Sequence, residues 1–240
     1  MTAAFLTDLP RLSDGFLRDA RQSAVGGGVL IRATFDLDRF DPVLFETFGV
    51  SRPERLQRAV PKRLGEFLAG RVLAMAAQQA LGRVPAPVEI SDNRAPIWPD
   101  GLHGSITHSG GHCACLILPS PQGYPGIDIE HFLSGRSLAS VNKLVLQEQD
   151  RTMIAASPLP RDQAATLCFS AKETLFKALH PTVGRFFGFE AAVLGAPPTA
   201  SHLRLTLTGD LHDRLPGGAT FDLTCAIEDR RVLTHMRYVP

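Results

Sequence analysis

Gly126-Ile127-Asp128-Ile129-Glu130 alternates acids with isoleucines at period two. On a strand this sends Asp128 and Glu130 to one face while Ile127 and Ile129 anchor the other. Two carboxylates on one face repel each other unless a cation joins them. About forty residues on, Phe169-Ser170-Ala171-Lys172-Glu173-Thr174-Leu175-Phe176-Lys177 sets Glu173 and Lys177 four apart, one turn along one helix face. Together the two stretches offer three hard oxygen donors and a mobile ammonium, a pattern suited to a metal and phosphate site, with magnesium preferred over a softer ion. Singly, each has a plainer reading: a strand with one wet face, and surface support on a helix. Ser170 and Glu173 also fit a Ser-x-x-Glu capping box, although Arg161 to Cys168 already reads as helical.

Basic groups for phosphate lie earlier in the chain. Arg63 and Arg71 are eight residues apart, which on a helix is about two turns and roughly 80° around, so both can line one groove. Forked guanidinium groups suit phosphate oxygens. Gly104 and Gly110 flank Thr107-His108-Ser109 and would let the backbone come close to a ligand. His103, His108, His112, Cys113 and Cys115 crowd one segment; the spacing matches no common zinc finger or ribbon, and Cys113 to Leu118 reads equally as a buried strand.

The elements that must position these groups follow from composition and punctuation. With 240 residues, 44% of them apolar, the chain has enough apolar surface for one large or two small domains. A formal charge of +1 gives no global field to recruit nucleic acid or an anionic membrane. Met1 to Arg11 lacks a basic segment followed by an apolar run, and no stretch approaches the ~20 apolar residues of a membrane span, so the expected location is the cytoplasm. Four cysteines lack the spacing of a secreted disulfide framework and are read as reduced, mostly buried thiols.

Residues 1 to 25 are polar and irregular and read as a wrapped or mobile tail. Val29 to Phe35 reads as a strand after Gly26-Gly27-Gly28. Pro61 to Leu81 holds strong helix formers, with Pro61 at its start and Gly82 just past its end. Pro85 to Gly104 reads as a structured loop carrying Trp98. Leu116 to Pro125 ends a strand in a Pro-rich turn, and the boundary is drawn there, giving halves of 1–122 and 123–240. Beyond it are expected the Asp128 strand, a variable stretch to Lys143, a helix ending near His180, and strands around Ala191–Leu194, Leu203–Leu207 and Phe221–Ile227. This mixture predicts an α/β or α+β fold of two similar halves.

The ordered motifs Arg63-x-x-Glu66-Phe67-x-x-Gly70-Arg71, Pro96-x-Trp98-Pro99-x-Gly101, Gly104-Ser105-x-Thr107-His108-Ser109, Gly126-x-Asp128-x-Glu130 and Phe169-x-x-Lys172-Glu173-x-x-x-Lys177 resemble phosphopantetheinyl transferases of the surfactin type, in the enterobactin-synthetase-component-D-like branch. Arg185 to Glu190 is similar to the segment that follows in that family. The resemblance implies a magnesium-dependent monomer of two α/β subdomains related by a pseudo-twofold, with coenzyme A in the cleft between them. It implies transfer of the 4'-phosphopantetheine arm to a serine of apo acyl or peptidyl carrier proteins, releasing 3',5'-adenosine bisphosphate, with neither nucleic acid nor membrane as a partner.

By the same resemblance, Asp128, Glu130 and Glu173 hold the metal. Arg63, Arg71, Thr107, His108, Asp128, Lys177 and, less specifically, Arg94 and Lys172 contact coenzyme A, Glu173 and Lys177 are also catalytic, and Glu66 orients one of the arginines. Lys172 is equally readable as a solvated helix residue. Glu148 lies where related enzymes carry a Glu suspected as general base, and is also readable as an N-terminal helix acid. His131 to Leu146, with Phe132, Leu133 and Leu138 among small polar residues and Arg136 and Lys143 as bases, is expected to form either a docking surface for an acidic carrier helix or a plain connector. Three rivals stand beside this reading: a magnesium phosphohydrolase acting on coenzyme A or a nucleotide pyrophosphate, a non-catalytic coenzyme A-binding module, and the trimeric transferases of fatty acid synthesis, which resemble only one half of this chain.

Overall fold

The computed structural model describes residues 2–91 and 95–240 and divides into two compact units, Met1–Gly123 and Tyr124–Pro240. Each has a principal antiparallel sheet, one long helix packed on it and its own apolar core.

The first unit opens with helix α1 (Thr2–Leu12) and strand β1 (Leu17–Val25), where the sequence suggests an irregular tail. Leu9, Phe16 and Leu17 are fully buried, and Ser13 ties the corner by donating its hydroxyl to Leu9 O while accepting the Leu17 amide. A few well-placed apolar residues thus outweigh the polar composition. The turn at Gly26 and Gly27 has φ of +56° and +82° and leads into β2 (Gly28–Phe35). Two successive left-handed residues match the strand twist in a two-residue hairpin. The short helix α2 (Leu44–Thr47) precedes α3 (Pro61–Ala80), which starts on Pro61 and is followed by Gly82 at φ +73°.

Strands β3 (Glu89–Ile90) and β4 (Pro96–Ile97) form a small ladder within the Trp98 loop region, before β5 (Leu102–Ser109) and β6 (His112–Pro119). The main sheet runs β1-β2-β6-β5. A Cβ at Gly70 would stand 2.7 Å from the Ile106 Cγ2 atom, so α3 approaches β5 closely at that point.

The second unit begins with β7 (Tyr124–His131), then α4 (Gly135–Leu144), α5 (Glu148–Ala155) and α6 (Arg161–Val183). Strands β8 (Ala192–Leu194), β9 (His202–Leu207), β10 (Thr220–Glu228) and β11 (Arg231–Tyr238) follow, in the sheet order β7-β11-β10-β9-β8. Sequence reasoning misses β11, which fills the place between β7 and β10. Its hairpin turns on Asp229 and Arg230 at φ +45° and +63°, a left-handed pair without the Gly or Asn that advertises such turns.

Helix α6 is seated on β7 and β11 by a buried hydroxyl cluster. Thr234 Oγ1 lies 2.7 Å from Thr174 Oγ1 and 2.9 Å from Ser170 Oγ. Ser170 is therefore a mid-helix docking residue and not the start of a capping box. At Gly126 a Cβ would fall 2.1 Å from the Thr174 carbonyl oxygen, so only glycine permits this approach of helix to strand.

In the segment expected to be a docking surface or connector, Leu133 is buried and Phe132 and Leu138 pack against the core. The apolar residues thus serve the interior, while Arg136 and Lys143 are exposed on α4.

Candidate active site

Asp128 lies mid-strand on β7, opposite Thr234 of β11, and its residue is only 4% exposed. Ile127 and Ile129 are buried, and Glu130 is half-buried. The close seat at Gly126 brings the Glu173–Lys177 turn of α6 beside this strand. Lys177 Nζ donates to Asp128 Oδ1 at 2.7 Å and to the Ile127 carbonyl at 3.0 Å. Burial raises the Glu173 carboxyl above its usual range; the Lys177 ammonium opposes that rise, and the Asp128 charge adds to it. Two acids from two elements are thus close enough for the charge of one to act on the other, with a lysine bonded to the first and acting on the second.

Among the described residues, no three His, Cys, Asp or Glu side chains are gathered as a metal-binding group. The donor chemistry nonetheless fits a hard divalent cation. Asp128 and Glu173 carry mutually unfavourable charge in a partly buried setting, and a cation would favour the ionised form of both. The crowded His and Cys residues of β5 and β6 go separate ways: His103 Nδ1 meets Gly123 O, His112 Nδ1 meets Gly110 O, and Cys113 and Cys115 are buried thiols.

In the first unit a second charged cluster joins α3 to β5. Arg63 Nη1 lies 3.3 Å from His108 Nε2, while Glu66 Oε2 is 3.8 Å from His108 Nδ1 and 3.9 Å from Arg63. Glu66 therefore stands between an exposed guanidinium and an imidazole, able to orient both. Thr107, the residue before His108 in β5, is buried.

Arg71 has different surroundings. Its guanidinium lies 4.4 Å over the Phe67 ring and donates to Glu89 O, with Nε unpartnered, on the wall of a cavity of about 220 Å3. Burial lowers its pKa to about 10; Cys115 opposes that, and Arg63 and Arg55 add to it. A desolvated guanidinium with an unsatisfied donor is suited to an anion. Arg94 lies outside the described residues.

Lys172 differs most from expectation, while Glu148 takes the helix N-terminal position that is one of its two readings. The Lys172 ammonium is 2% exposed and donates to Asp150 Oδ2 at 2.6 Å, Val145 O at 3.1 Å and Phe189 O at 3.1 Å. All three donors are occupied inside the protein, which fits neither a phosphate contact nor a solvated helix residue. Glu148 begins α5 with its side chain 91% exposed, 3.6 Å from Arg151. Asp150, two residues on, is the buried acid of this segment and went unnoticed in the sequence. Its signal was the Gln147-x-x-Asp150 spacing: both halves of a capping box are present.

Beside Glu173 lies a cavity of about 160 Å3, walled by Phe176, Phe186, Phe187, Phe189 and Ala192. It is predominantly apolar with Lys172 and Glu173 at its edge, so it suits an uncharged chain whose charged end lies elsewhere.

Residues 52–118 match the 4'-phosphopantetheinyl transferase N-terminal domain, and residues 124–215 match the 4'-phosphopantetheinyl transferase superfamily. Enterobactin synthase component D of Salmonella typhi is 37% identical over 154 residues, 64% of this chain and 63% of that protein. The Escherichia coli K12 protein of the same name is 33% identical over 148 residues, 60% of this chain and 70% of that protein. 4'-Phosphopantetheinyl transferase PptT of Mycobacterium tuberculosis is 36% identical over 141 residues, 57% of this chain and 60% of that protein. The alignment thus spans a little under two thirds of the Salmonella relative.

Proposed function

This chain belongs to the phosphopantetheinyl transferase superfamily, and from that premise we propose that it moves the 4'-phosphopantetheine arm of coenzyme A onto a serine of apo acyl or peptidyl carrier proteins. The observation that carries the proposal is the seat of α6 on Gly126, which brings Lys177 onto Asp128 of β7 and Glu173 within reach of the Asp128 charge.

The reaction joins the carrier serine oxygen to the phosphorus bearing the pantetheine arm and breaks that phosphorus from the bridging oxygen. It releases 3',5'-adenosine bisphosphate and one proton. Asp128, Glu130 and Glu173 would hold magnesium, whose chemistry there is to neutralise charge on the pyrophosphate. Lys177 shifts from its bond to Asp128 to hold a pyrophosphate oxygen. In the first unit, Arg63 and His108, oriented by Glu66 and with Thr107 next to His108 in the chain, bind phosphate at the nucleotide end, and Arg71 supplies a buried guanidinium for the same ligand. The apolar cavity beside Glu173 receives the uncharged arm. Lys172 is assigned a structural role. Glu148, open to solvent where a carrier would arrive, takes the serine proton directly or through water.

Among the described residues no helix is long and apolar enough to cross a membrane. A monomer acting in the cytoplasm completes the reading; size-exclusion chromatography with light scattering checks the first point. To separate the transferase from a hydrolase, adenosine bisphosphate release is followed with and without apo carrier. Release that requires carrier supports transfer; equal release without it would establish a pyrophosphohydrolase.

A further inference from the structure

Asp150 is the most enclosed charged side chain near the site, with 0% of its side chain exposed. Its Oδ2 accepts from Lys172 Nζ at 2.6 Å and from the Gln147 amide at 2.9 Å, and its Oδ1 accepts from the Leu194 amide at 2.8 Å. Lys172 passes the restraint on through its bond to Phe189 O, and lies next to Glu173 in α6. Gln147 reinforces the same region: its side-chain amide reaches the carbonyls of Glu190 at 3.1 Å and Ala192 at 3.3 Å. One carboxylate therefore ties the start of α5, the middle of α6 and the segment 189–194 together. Phe189 and Ala192 of that segment wall the cavity beside Glu173.

We propose that Asp150 is a positioning residue for the transfer reaction, fixing the 189–194 wall and the Glu173 turn relative to each other through Lys172 and Gln147. The proposal deepens the transferase reading and rests on it. Enclosed on every side, Asp150 does not touch substrate; it acts on the shape of the cavity and the setting of its neighbouring acid. A buried ion pair is a poor source of net stability but fixes geometry firmly, because each partner is costly to leave alone. Small displacements at a reacting centre can reduce rate by about a hundredfold.

Asp150→Asn is the direct test. An amide accepts on one side only, so its NH2 must face either Leu194 N–H or the Lys172 and Gln147 donors. Hydrogen exchange of the 189–194 amides is read together with kcat and with KM for coenzyme A. The expected result is exchange at least about tenfold faster in that segment, exchange in β9 to β11 unchanged, and kcat down about tenfold or more with KM within about twofold. Gln147→Ala, which leaves no buried charge alone, covers the case in which Asp150→Asn does not fold. It should move both readouts the same way by a smaller factor of about three. Faster exchange with unchanged kcat, or unchanged exchange in a folded variant, would overturn the proposal. Failure of the wild-type protein to load any carrier would refute the transferase reading instead, and the exchange data would still report whether Asp150 holds the wall.

Discussion

Asp128 and Glu173 sit on different elements, yet the Asp128 charge helps hold the Glu173 carboxyl above its usual range. Removing either takes away a hard oxygen donor and electrostatic support at the reacting pyrophosphate, so Asp128→Ala and Glu173→Ala should each lower transfer by roughly 10²–10³-fold. The fold should persist, as checked by circular dichroism and thermal melting. Glu173 also gives a signed pH effect. Its folded carboxyl titrates above the unfolded value because burial disfavours the charge. Its contribution to stability is therefore fully present below the unfolded pKa near 4.5 and is lost as pH rises through the raised folded value. Glu173→Gln removes that loss, so without metal the variant should melt higher than wild type at pH 8 while losing transfer to a similar degree as Glu173→Ala. An equal or lower melting temperature would contradict the burial argument.

Glu148→Gln should slow transfer and leave coenzyme A affinity intact in calorimetry. Unchanged turnover would remove Glu148 from the chemistry. The acids and Lys177 were legible as residues because alternation and four-residue spacing are geometric. Lys172 was not, because nothing local reveals that its three donors reach Asp150, Val145 and Phe189, and Asp150 is recognisable only as a capping-box acid.

At the scale of elements, the contact of α6 with β7 is the decisive packing. Gly126→Ala would push a methyl group against the Thr174 backbone carbonyl, which cannot swing aside as a side-chain tip can. Overpacking of this kind costs about 1–3 kcal/mol. The expected outcome is that loss in denaturant unfolding together with a much larger loss of transfer, since the helix carrying Glu173 and Lys177 must shift. A variant with wild-type stability and activity would show that the helix has freedom the close contact denies.

Long helices were readable from their period and punctuation, Pro61 at the start of α3 and Gly82 after its end among them. The N-terminal pair α1 and β1 was not. Strand β1 buries little beyond Leu17 and carries charged residues along an edge, so its sequence lacks the apolar alternation that identifies a half-buried strand. Strand β11 escaped for the opposite reason: Val232, Thr234 and Met236 are buried, but a threonine and a histidine interrupt the apolar run.

Across the whole molecule, two units with separate cores match two families of the same transferase description, one within each unit. The four cysteines are buried in those cores, and burial raises every one of their thiols, that of Cys225 to about 12. Native protein should therefore resist a thiol reagent at neutral pH and label fully after denaturation. Rapid labelling of the folded chain would mean that a core opens readily.

Intact-mass spectrometry reads phosphopantetheine transfer to a carrier without any intermediate step. Purified apo acyl carrier and apo peptidyl carrier proteins are each incubated with this protein, coenzyme A and magnesium, with an EDTA control. The expected result is a gain of one phosphopantetheine on at least one carrier, abolished by EDTA. Unmodified carriers alongside degraded coenzyme A would contradict it in favour of hydrolysis, and a gain that persists in EDTA would contradict the metal assignment to Asp128, Glu130 and Glu173.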